Sequence, residues 1–446
     1  MKENSDPIAI LGGGPAGLAS ALYACRAGLP VRIYEASESV GGNCRTLSLG
    51  PYGFDTGAHR LHDRDPEVTE TIRALLGDDL LRIDAPSQIL IEGRLVGFPL
   101  TPLDIATTLP AATLLRIAGE TIALRLRGTT TIESFRDLAL SRYGETLASL
   151  LLLGYSEKLW GAPAGELSPE VAGERLRGLD LRTFLREMLP GRRQEREHLD
   201  GAFYYPRHGI GQIFNAMAGA IGYARISLGS RVTSLRHDRR RITGIGINGG
   251  EPIDAGEVIA TLPLPTIIAA LDPAPPVEIL ELARSIRYRH LRLVVLALDT
   301  PRVSRNASIY FPDPALPFTR LFEPKNRSAA LAPADSTAIV IEVPCSRDDA
   351  LWSLEDGTLI DMVVGGLRTS GVIDRSTRIL DRMVHPLPFA YPILEKGYER
   401  RVAAITSHLG SYANLHLAGR SARFQYSHIH DMFRQGREVV REVEEV

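Results

Sequence analysis

The sequence predicts an α/β fold organised around a strand, turn, helix and strand near the N-terminus. An apolar strand at Ile8–Leu11 runs into a turn that holds three glycines on the G-x-G-x-x-G spacing. These glycines are Gly12, Gly14 and Gly17. A second apolar strand at Val31–Tyr34 ends in Glu35, about twenty residues beyond the glycines. Since residues 288–373 contain long β-rich segments and one helix, we expect a Rossmann-like parallel sheet joined to a second region that contains strands and helices.

Each glycine of the turn has a separate physical reason. Gly12 permits the tight turn, Gly14 lets a pyrophosphate approach the backbone, and Gly17 lets the following helix lie close to the strand. Pro15 and Ala16 open that helix, expected over residues 16–27, whose free N–H groups and positive dipole end point at a phosphate. The turn therefore predicts a dinucleotide site, with a purely structural glycine turn as the alternative.

Glu35 fits the same hypothesis because its carboxylate can accept hydrogen bonds from both hydroxyls of an adenosine ribose. A G-x-G-x-x-G match alone is weak evidence for a dinucleotide site. Here the strand, glycines, helix, second strand and acid all stand in register.

Composition limits the remaining function classes. The chain has 446 residues, 44% hydrophobic and 23% charged, as in an ordinary globular protein long enough for two or three domains. A net charge of −2 argues against a nucleic-acid surface. Three cysteines without a C-x-x-C pair predict reduced thiols and no metal site. No apolar run is long enough to span a membrane, and the first strand leaves no room for a signal peptide, so we expect a cytoplasmic protein.

The following segments predict alternating helices and hairpins. Residues 66–76 indicate a helix, and residues 87–100 a hairpin turning at Glu92 and Gly93. Residues 101–127 predict one amphipathic helix, more typical of a core helix than of a membrane-surface helix because its charges are mixed in sign. Further helices are expected over 132–161.

The second half of the chain again contains apolar strands that run into glycine or proline, as the N-terminal segment does. Residues 203–263 alternate short β-runs with turn residues and end in an apolar strand that reaches Pro263. A helix is expected at 354–367 within the β-rich region. Near the C-terminus an apolar strand runs into Gly419 and Arg420, followed by a helix at 429–443.

The segment after Glu35 carries a family resemblance. Ala36 is followed by G-G-N-C-R-T, with Gly42, Asn43 and Thr46, and then by F-D-T-G-A-H-R-L-H. This pattern resembles the FAD fingerprint of the flavoprotein superfamily that contains amine oxidases, protoporphyrinogen oxidases and UDP-galactopyranose mutases. The resemblance implies FAD as cofactor and a discontinuous FAD-binding domain of the glutathione-reductase type.

The resemblance also implies the domain organisation. Residues 1–75, 200–265 and 385–446 are expected to form the FAD-binding domain, and residues 76–199 and 266–384 the substrate domain. In this superfamily the substrate domain is an α+β region of mixed sheet and helices, and a three-stranded β-meander belongs to the cofactor domain. The meander is expected within residues 203–263, where Val232 is an expected cofactor-binding residue. The Gly-Arg pair, here Gly419 and Arg420, lies beside the cofactor, so that Arg420 is expected to face a phosphate. A surface cap is the alternative.

Substrate-side motifs resemble those of bacterial UDP-galactopyranose mutases. G-A-H-R-L-H contains His59 and His62, and G-Y-S-E-K-L-W-G contains Tyr155 and Trp160. The resemblance places His59 against the flavin and makes His59 and His62 the expected catalytic residues. The expected substrate-binding residues are Tyr155, Trp160, Arg175 and Tyr426. His59 can donate to flavin N5 or to a substrate oxygen, and Trp160 offers a flat stacking surface. Trp160 could equally be core, and His62 a turn residue.

Two departures separate this sequence from the mutases. Tyr426 is followed by Ser427 and His428 rather than by a second tyrosine. The mutases also use two arginines to neutralise the diphosphate, and Arg175, Arg177 and Arg182 lie near the expected place, but none of them aligns without a gap. We therefore expect an FAD-dependent oxidoreductase that transfers hydride from a small organic substrate to flavin N5, with a non-redox sugar mutase as the alternative. The expected partner is a small molecule, with no nucleic acid, no metal and no membrane span; a homodimer is the oligomeric state to test.

Overall fold

The computed structural model describes residues 6–91, 93–98, 100–126, 131–176 and 202–445. The strands of this part are β1 (Ile8–Leu11), β2 (Val31–Tyr34), β3 (Thr46–Leu49), β4 (Tyr52–Asp55), β5 (Leu80–Ile83), β6 (Ser87–Ile91), β7 (Arg94–Phe98), β8 (Phe203–Pro206), β9 (Ile226–Ser227), β10 (Val232–His237), β11 (Ile242–Ile247), β12 (Ile253–Asp254), β13 (Val258–Ala260), β14 (Leu271–Asp272), β15 (Tyr288–Leu298), β16 (Ser308–Tyr310), β17 (Arg320–Phe322), β18 (Thr337–Cys345), β19 (Ile379–Pro392) and β20 (Leu415–Leu417). The α-helices are α1 (Pro15–Arg26), α2 (Pro66–Leu76), α3 (Pro102–Thr108), α4 (Ala111–Leu126), α5 (Phe135–Ala148), α6 (Gly154–Trp160), α7 (Gly211–Ile221), α8 (Leu264–Ala270), α9 (Val277–Ser285), α10 (Ala350–Ser353), α11 (Asp356–Thr369), α12 (Tyr398–Leu409) and α13 (Ile429–Glu444).

A parallel sheet joins distant parts of the chain in the order β20, β13, β1, β2, β9. Side chains of β1 alternate between two cores because successive residues of a strand point to opposite faces. Ile8 and Ile10 pack with α1, α7 and α13, whereas Ala9 and Leu11 pack with the meander and α8. The predicted α/β character of this part of the chain, with strands and helices together, is confirmed.

Helices α1 and α13 pack closely over this sheet. A Cβ placed on Gly436 of α13 would lie 2.7 Å from the backbone nitrogen of Ser20 in α1, so a side chain here would push the helices apart. Since α1 carries the glycine turn at its N-terminus, this contact fixes the direction of the turn.

The predicted meander forms a second sheet, in the order β12, β11, β10, β14. β10 pairs antiparallel with β11 and β11 with β12, while β14 joins parallel to β10. The sheet covers the parallel sheet on the face of Ala9 and Leu11.

A seven-stranded mixed sheet has the order β19, β15, β18, β17, β16, β6, β7. Its pairs are antiparallel except β16 with β6. Every residue of β15 is buried, with α11 among the elements on one face and Phe54 of β4 on the other. The expected mixed sheet with helices is thus confirmed. β19 runs across residue 385, and the domain boundaries themselves stay a prediction.

The expectation of one core helix over residues 101–127 was wrong. Pro110 separates α3 from α4, and Leu115, Ile122 and Leu126 of α4 are 75%, 60% and 83% exposed. The reason is that α4 packs against α5 with its opposite face, where Glu120 accepts from the Thr146 backbone and hydroxyl at 2.9 and 2.6 Å. In the described part of the chain, no helix combines the length and hydropathy that a membrane span needs.

Candidate active site

The glycine turn leaves an open cradle at the N-terminus of α1. Gly12 has φ +106°, a left-handed conformation that favours glycine, and a Cβ on Gly17 would collide with the Gly12 carbonyl oxygen. At Gly14, by contrast, a Cβ would meet nothing closer than the Gly42 Cα at 3.9 Å. The backbone is therefore approachable at Gly14, where the helix dipole favours an anion.

A second glycine segment runs along the first. The Gly41 N–H donates to the Gly13 carbonyl at 2.8 Å, and a Cβ on Gly42, which has φ +53°, would lie 3.1 Å from the Gly14 Cα. Gly419 also approaches α1, because its Cβ would lie 2.9 Å from that of Ala16. Three separate chain segments thus meet at the start of α1.

The Glu35 carboxylate lies beside this turn at the end of β2. Its Oε2 accepts from the Gly13 N–H at 2.6 Å, and its Oε1 accepts from the Ser37 N–H and hydroxyl at 2.9 and 2.7 Å. These bonds orient the carboxylate at the mouth of the cradle. The open backbone, helix N-terminus and oriented acid together fit the diphosphate and ribose of a dinucleotide.

His59 is held as a neutral imidazole. Burial, together with the charges of Arg420 and Arg327, lowers its pKa to about 3. Its Nε2 lies 3.4 Å from the Cys44 sulfur, and Arg327 donates to its backbone carbonyl at 3.0 Å. Within the described residues its Nδ1 has no hydrogen-bond partner although it is buried. A buried ring nitrogen of this kind is available to a ligand.

Asn43 is anchored to the end of β19. Its side-chain nitrogen donates to the carbonyls of Pro388 and Phe389, each at 3.3 Å. Phe389 has φ +53°, unusual for a bulky residue, and its N–H donates to His290 Nδ1 at 3.0 Å. The fold therefore maintains a strained residue at an irregularity of β19 beside the second glycine segment.

An aromatic pocket lies between α6, β19 and the loop before α13. The Trp160 ring meets Tyr391 and Tyr426 edge-on, at centroid distances of 6.0 and 5.8 Å. Tyr391 and Tyr426 stack at 5.8 Å. The lining comprises Tyr155, Leu159, Trp160, Arg320, Glu342, Tyr391 and Tyr426. Three predicted substrate residues are thus brought together from sequence positions far apart.

A buried ion pair forms the polar part of this pocket. Arg320 Nε and Nη2 donate to the two Glu342 oxygens at 2.9 and 2.7 Å, and the Ala58 N–H donates to Glu342 at 3.2 Å. Glu342 holds the pKa of Arg320 well above its usual value despite burial. Burial, followed by the charge of Glu342, raises the pKa of Tyr391 to about 12. Sequence reasoning missed Arg320, Glu342 and Tyr391, since none of them stands in a recognised motif.

Arg420, a predicted cofactor residue, contacts the aromatic pocket and nearby backbone carbonyls. Arg420 donates to the carbonyls of Ser427 and Ala390, and its guanidinium lies 5.6 and 5.2 Å from the ring centroids of Tyr391 and Tyr426. It thus braces the aromatic pocket, and its predicted contact with a phosphate stays a prediction.

Thr46, another predicted cofactor residue, forms hydrogen bonds at the start of α7. Its hydroxyl donates to the buried Asp55 at 2.7 Å and accepts from the Gly211 N–H at 2.9 Å. Asp55 also accepts from the Tyr205 hydroxyl at 2.6 Å. Thr46 therefore fixes the start of α7 beside the glycine segments.

The remaining predicted residues lie around these groups or outside the described set. Val232 is buried in β10 within the core on the far face of the parallel sheet. The His62 ring lies 6.1 Å from that of Phe203. The side chain of Arg175 lies outside the described residues. In the portion described, no group of histidine, cysteine and acidic side chains could hold a metal.

Solved structures share this fold. A reduced UDP-galactopyranose mutase superposes with a TM-score of 0.88 at 20% identity, covering 99% of this chain and 94% of that one. A putative protoporphyrinogen oxidase from Exiguobacterium sp. 255-15 gives 0.76 at 20% identity, covering 99% of each chain. Putrescine oxidase bound to putrescine gives 0.68 at 16% identity, again covering 99% of each. At these identities the likeness concerns the fold.

Two comparisons at the level of sequence concern the family of the chain. Hydroxysqualene dehydroxylase of Sinorhizobium fredii is 36% identical over 70 residues, which span 15% of this chain and 17% of that relative. The profile described as flavin containing amine oxidoreductase matches residues 15–444. With the open glycine cradle and the adjoining pocket, that match confirms the predicted superfamily: the chain belongs to the flavin-containing amine oxidoreductase family.

Proposed function

We propose that the protein is an FAD-dependent oxidoreductase that oxidises a small organic substrate in the aromatic pocket. The proposed cofactor domain is of the glutathione-reductase type and consists of residues 1–75, 200–265 and 385–446. The proposed substrate domain consists of residues 76–199 and 266–384. The free thiols Cys25, Cys44 and Cys345 suit the proposed cytoplasmic location.

FAD would be held by the groups around the cradle. The backbone at Gly14 and Gly42 would receive the diphosphate, and Glu35 the adenosine ribose. The buried Nδ1 of His59 would serve the flavin or a substrate atom next to it. When bound, FAD supplies an acceptor for hydride at N5.

The observation that carries the proposal is the bidentate pair of Arg320 and Glu342 inside the aromatic pocket. A pocket built for a sugar diphosphate needs positive charge that no acid compensates. Among the lining residues, the guanidinium of Arg320 is paired with the Glu342 carboxylate, and the neighbouring Arg420 donates to backbone carbonyls. The lining of Tyr155, Trp160 and Tyr391 favours a substrate with apolar or aromatic surface. This lining supports a substrate with apolar surface rather than a diphosphate. The cavity itself is about 10 Å³, room for about one water molecule, so a substrate would enter by displacing aromatic side chains of the lining.

The residues of the site have distinct proposed tasks. Trp160 and Tyr426 orient the substrate, and the ion pair excludes competing charges from the pocket. His59 is neutral at physiological pH because its pKa is lowered to about 3, so its Nδ1 can form one hydrogen bond to the flavin or the substrate without adding positive charge.

Anaerobic reduction tests the proposal. Candidate amines, alcohols and cyclic precursors are mixed with purified protein without oxygen, and flavin absorbance near 450 nm, roughly the flavin band, is followed. We expect at least one substrate class to bleach the flavin, with the reduced flavin and oxidised product formed one to one.

A non-redox mutase is the second candidate, favoured by the TM-score of 0.88 with UDP-galactopyranose mutase and by the motif that carries Tyr155 and Trp160. Its test uses dithionite-reduced protein with a nucleotide-linked pyranose. Conversion to the furanose without net flavin oxidation would replace the oxidoreductase proposal.

A further inference from the structure

The first three residues of β15 each hold a different wall of the site. The Tyr288 hydroxyl donates to the Ser421 carbonyl at 2.7 Å, and His290 Nδ1 accepts from the Phe389 N–H at 3.0 Å. Arg289, between them, reaches the end of α6. The start of one buried strand thus supports three segments around the pocket.

All three nitrogens of the Arg289 guanidinium donate hydrogen bonds. It donates to the carbonyls of Leu159 at 3.1 Å, Lys158 at 3.1 Å and Pro344 at 3.2 Å, to the Ser346 hydroxyl at 2.7 Å, and to Asp349 at 3.0 Å. Its side chain is 7% exposed. Because a guanidinium is planar and rigid, these partners fix its position as well as its charge.

Two of these bonds go to the last turn of α6. Helix C-termini leave carbonyls without intrahelical partners, and a cation there is favoured by the helix dipole. The two carbonyls belong to Lys158 and Leu159, which immediately precede Trp160. The chain then turns at Gly161, with φ +69°, where a Cβ would lie 2.5 Å from Arg289 Nη1.

We infer that Arg289 is a positioning residue of the substrate pocket, which holds the last turn of α6 so that Trp160 forms the pocket wall. The inference rests on the proposed function only in taking this pocket as the substrate site. Arg289 is not among the lining residues and acts through the helix end.

The chain offers a matched control on the same strand. Arg292 is also buried, donates to the carbonyls of Leu351 and Leu354 at 2.8 and 2.6 Å, and pairs with Asp356. Its partners lie in residues 351–356, away from α6. Arg292→Met therefore removes a buried guanidinium of the same kind without touching the support of Trp160.

Tryptophan fluorescence gives a readout independent of turnover. The chain has two tryptophans, so Trp352→Phe leaves Trp160 as the single emitter. In that background, Arg289→Met, Arg289→Lys and Arg292→Met are compared by emission maximum and acrylamide quenching. We expect Arg289→Met to shift Trp160 emission to the red and increase its quenching, Arg289→Lys to recover part of the change, and Arg292→Met to leave both unchanged.

Binding supplies the second readout. We expect Arg289→Met to weaken the apparent affinity for a flavin-bleaching substrate by about tenfold, the effect of one lost interaction of ordinary strength, while FAD content stays that of the parent. The fluorescence measurement needs no substrate. It therefore tests the role of Arg289 even if no substrate bleaches the flavin, so failure of this inference can be told apart from failure of the oxidoreductase proposal.

Unchanged Trp160 emission in folded Arg289→Met would overturn the inference. So would an equal change in Arg292→Met, which would indicate general loosening. Should Arg289→Met not fold, the double variant Ser346→Ala with Asp349→Asn removes the two side chains that orient Nη1, and it is judged by the same emission shift against the parent.

Discussion

Replacing Glu342 by glutamine tests the ion pair on which the proposed function depends. Glu342 is 1% exposed, the Arg320 side chain is 15% exposed, and two hydrogen bonds join them. Glutamine keeps the volume but removes the charge and turns an amide donor towards a guanidinium. Removing one partner of a buried pair costs about 3–5 kcal/mol because the other charge stays buried and unpaired.

The assay is a double-mutant cycle in urea with wild type, Glu342→Gln, Arg320→Met and the combined variant. We expect each single variant to lose about 3–5 kcal/mol of the free energy of unfolding, and the combined variant to lose much less than their sum. Additive effects, or a loss below about 1 kcal/mol, the range of exposed pairs, would refute the reasoning.

The same variant changes the ligand that the pocket accepts. With Glu342→Gln, Arg320 carries uncompensated charge in the pocket, so inorganic pyrophosphate should bind to the variant more tightly than to wild type in isothermal titration. Equal affinity would show that the pair does not control pocket charge.

Four further predictions concern the cofactor side. Gly14→Val should abolish FAD binding because its side chain would fill the cradle opposite Gly42; full occupancy by absorbance would contradict this. Glu35→Ala should weaken FAD about ten- to a hundredfold in a titration of apo-protein, from lost charge-assisted bonds; an unchanged dissociation constant would place the ribose elsewhere. His59→Ala should slow anaerobic bleaching by about 10² to 10⁴ if the imidazole transfers a proton. Because folding lowers the His59 pKa to about 3, the unfolded chain binds the proton first, so stability should fall as pH drops from about 6.5 towards 3, with a smaller slope in His59→Gln.

Local sequence was sufficient to predict the first strand–helix–strand unit of the fold. The apolar strand, the glycine spacing and Glu35 lie within residues 8–35, and β1, α1 and β2 form where the pattern predicts them. Such a unit is readable because glycine, helix-start and strand preferences act over a few residues.

The apolar pattern of α4 did not predict which of its faces is buried, because apolar residues lie on more than one side of this helix. Leu115 and Ile122 face solvent while Glu120 faces α5 and binds Thr146. Amphipathicity identified the helix but not which face would be covered, since that depends on the partner helix.

What only the tertiary structure decided is the substrate side of the site. The mixed sheet brings Arg320 of β17 opposite Glu342 of β18, and the loop before α13 brings Tyr426 onto Tyr391 of β19. Arg289 reaches the end of α6 from 130 residues away. The sequence by itself determined the strand–glycine–helix unit and its acid, because short-range backbone preferences specify them. The charge pair, the aromatic wall and the arginine behind it follow from strand register and long-range packing, to which no local pattern points.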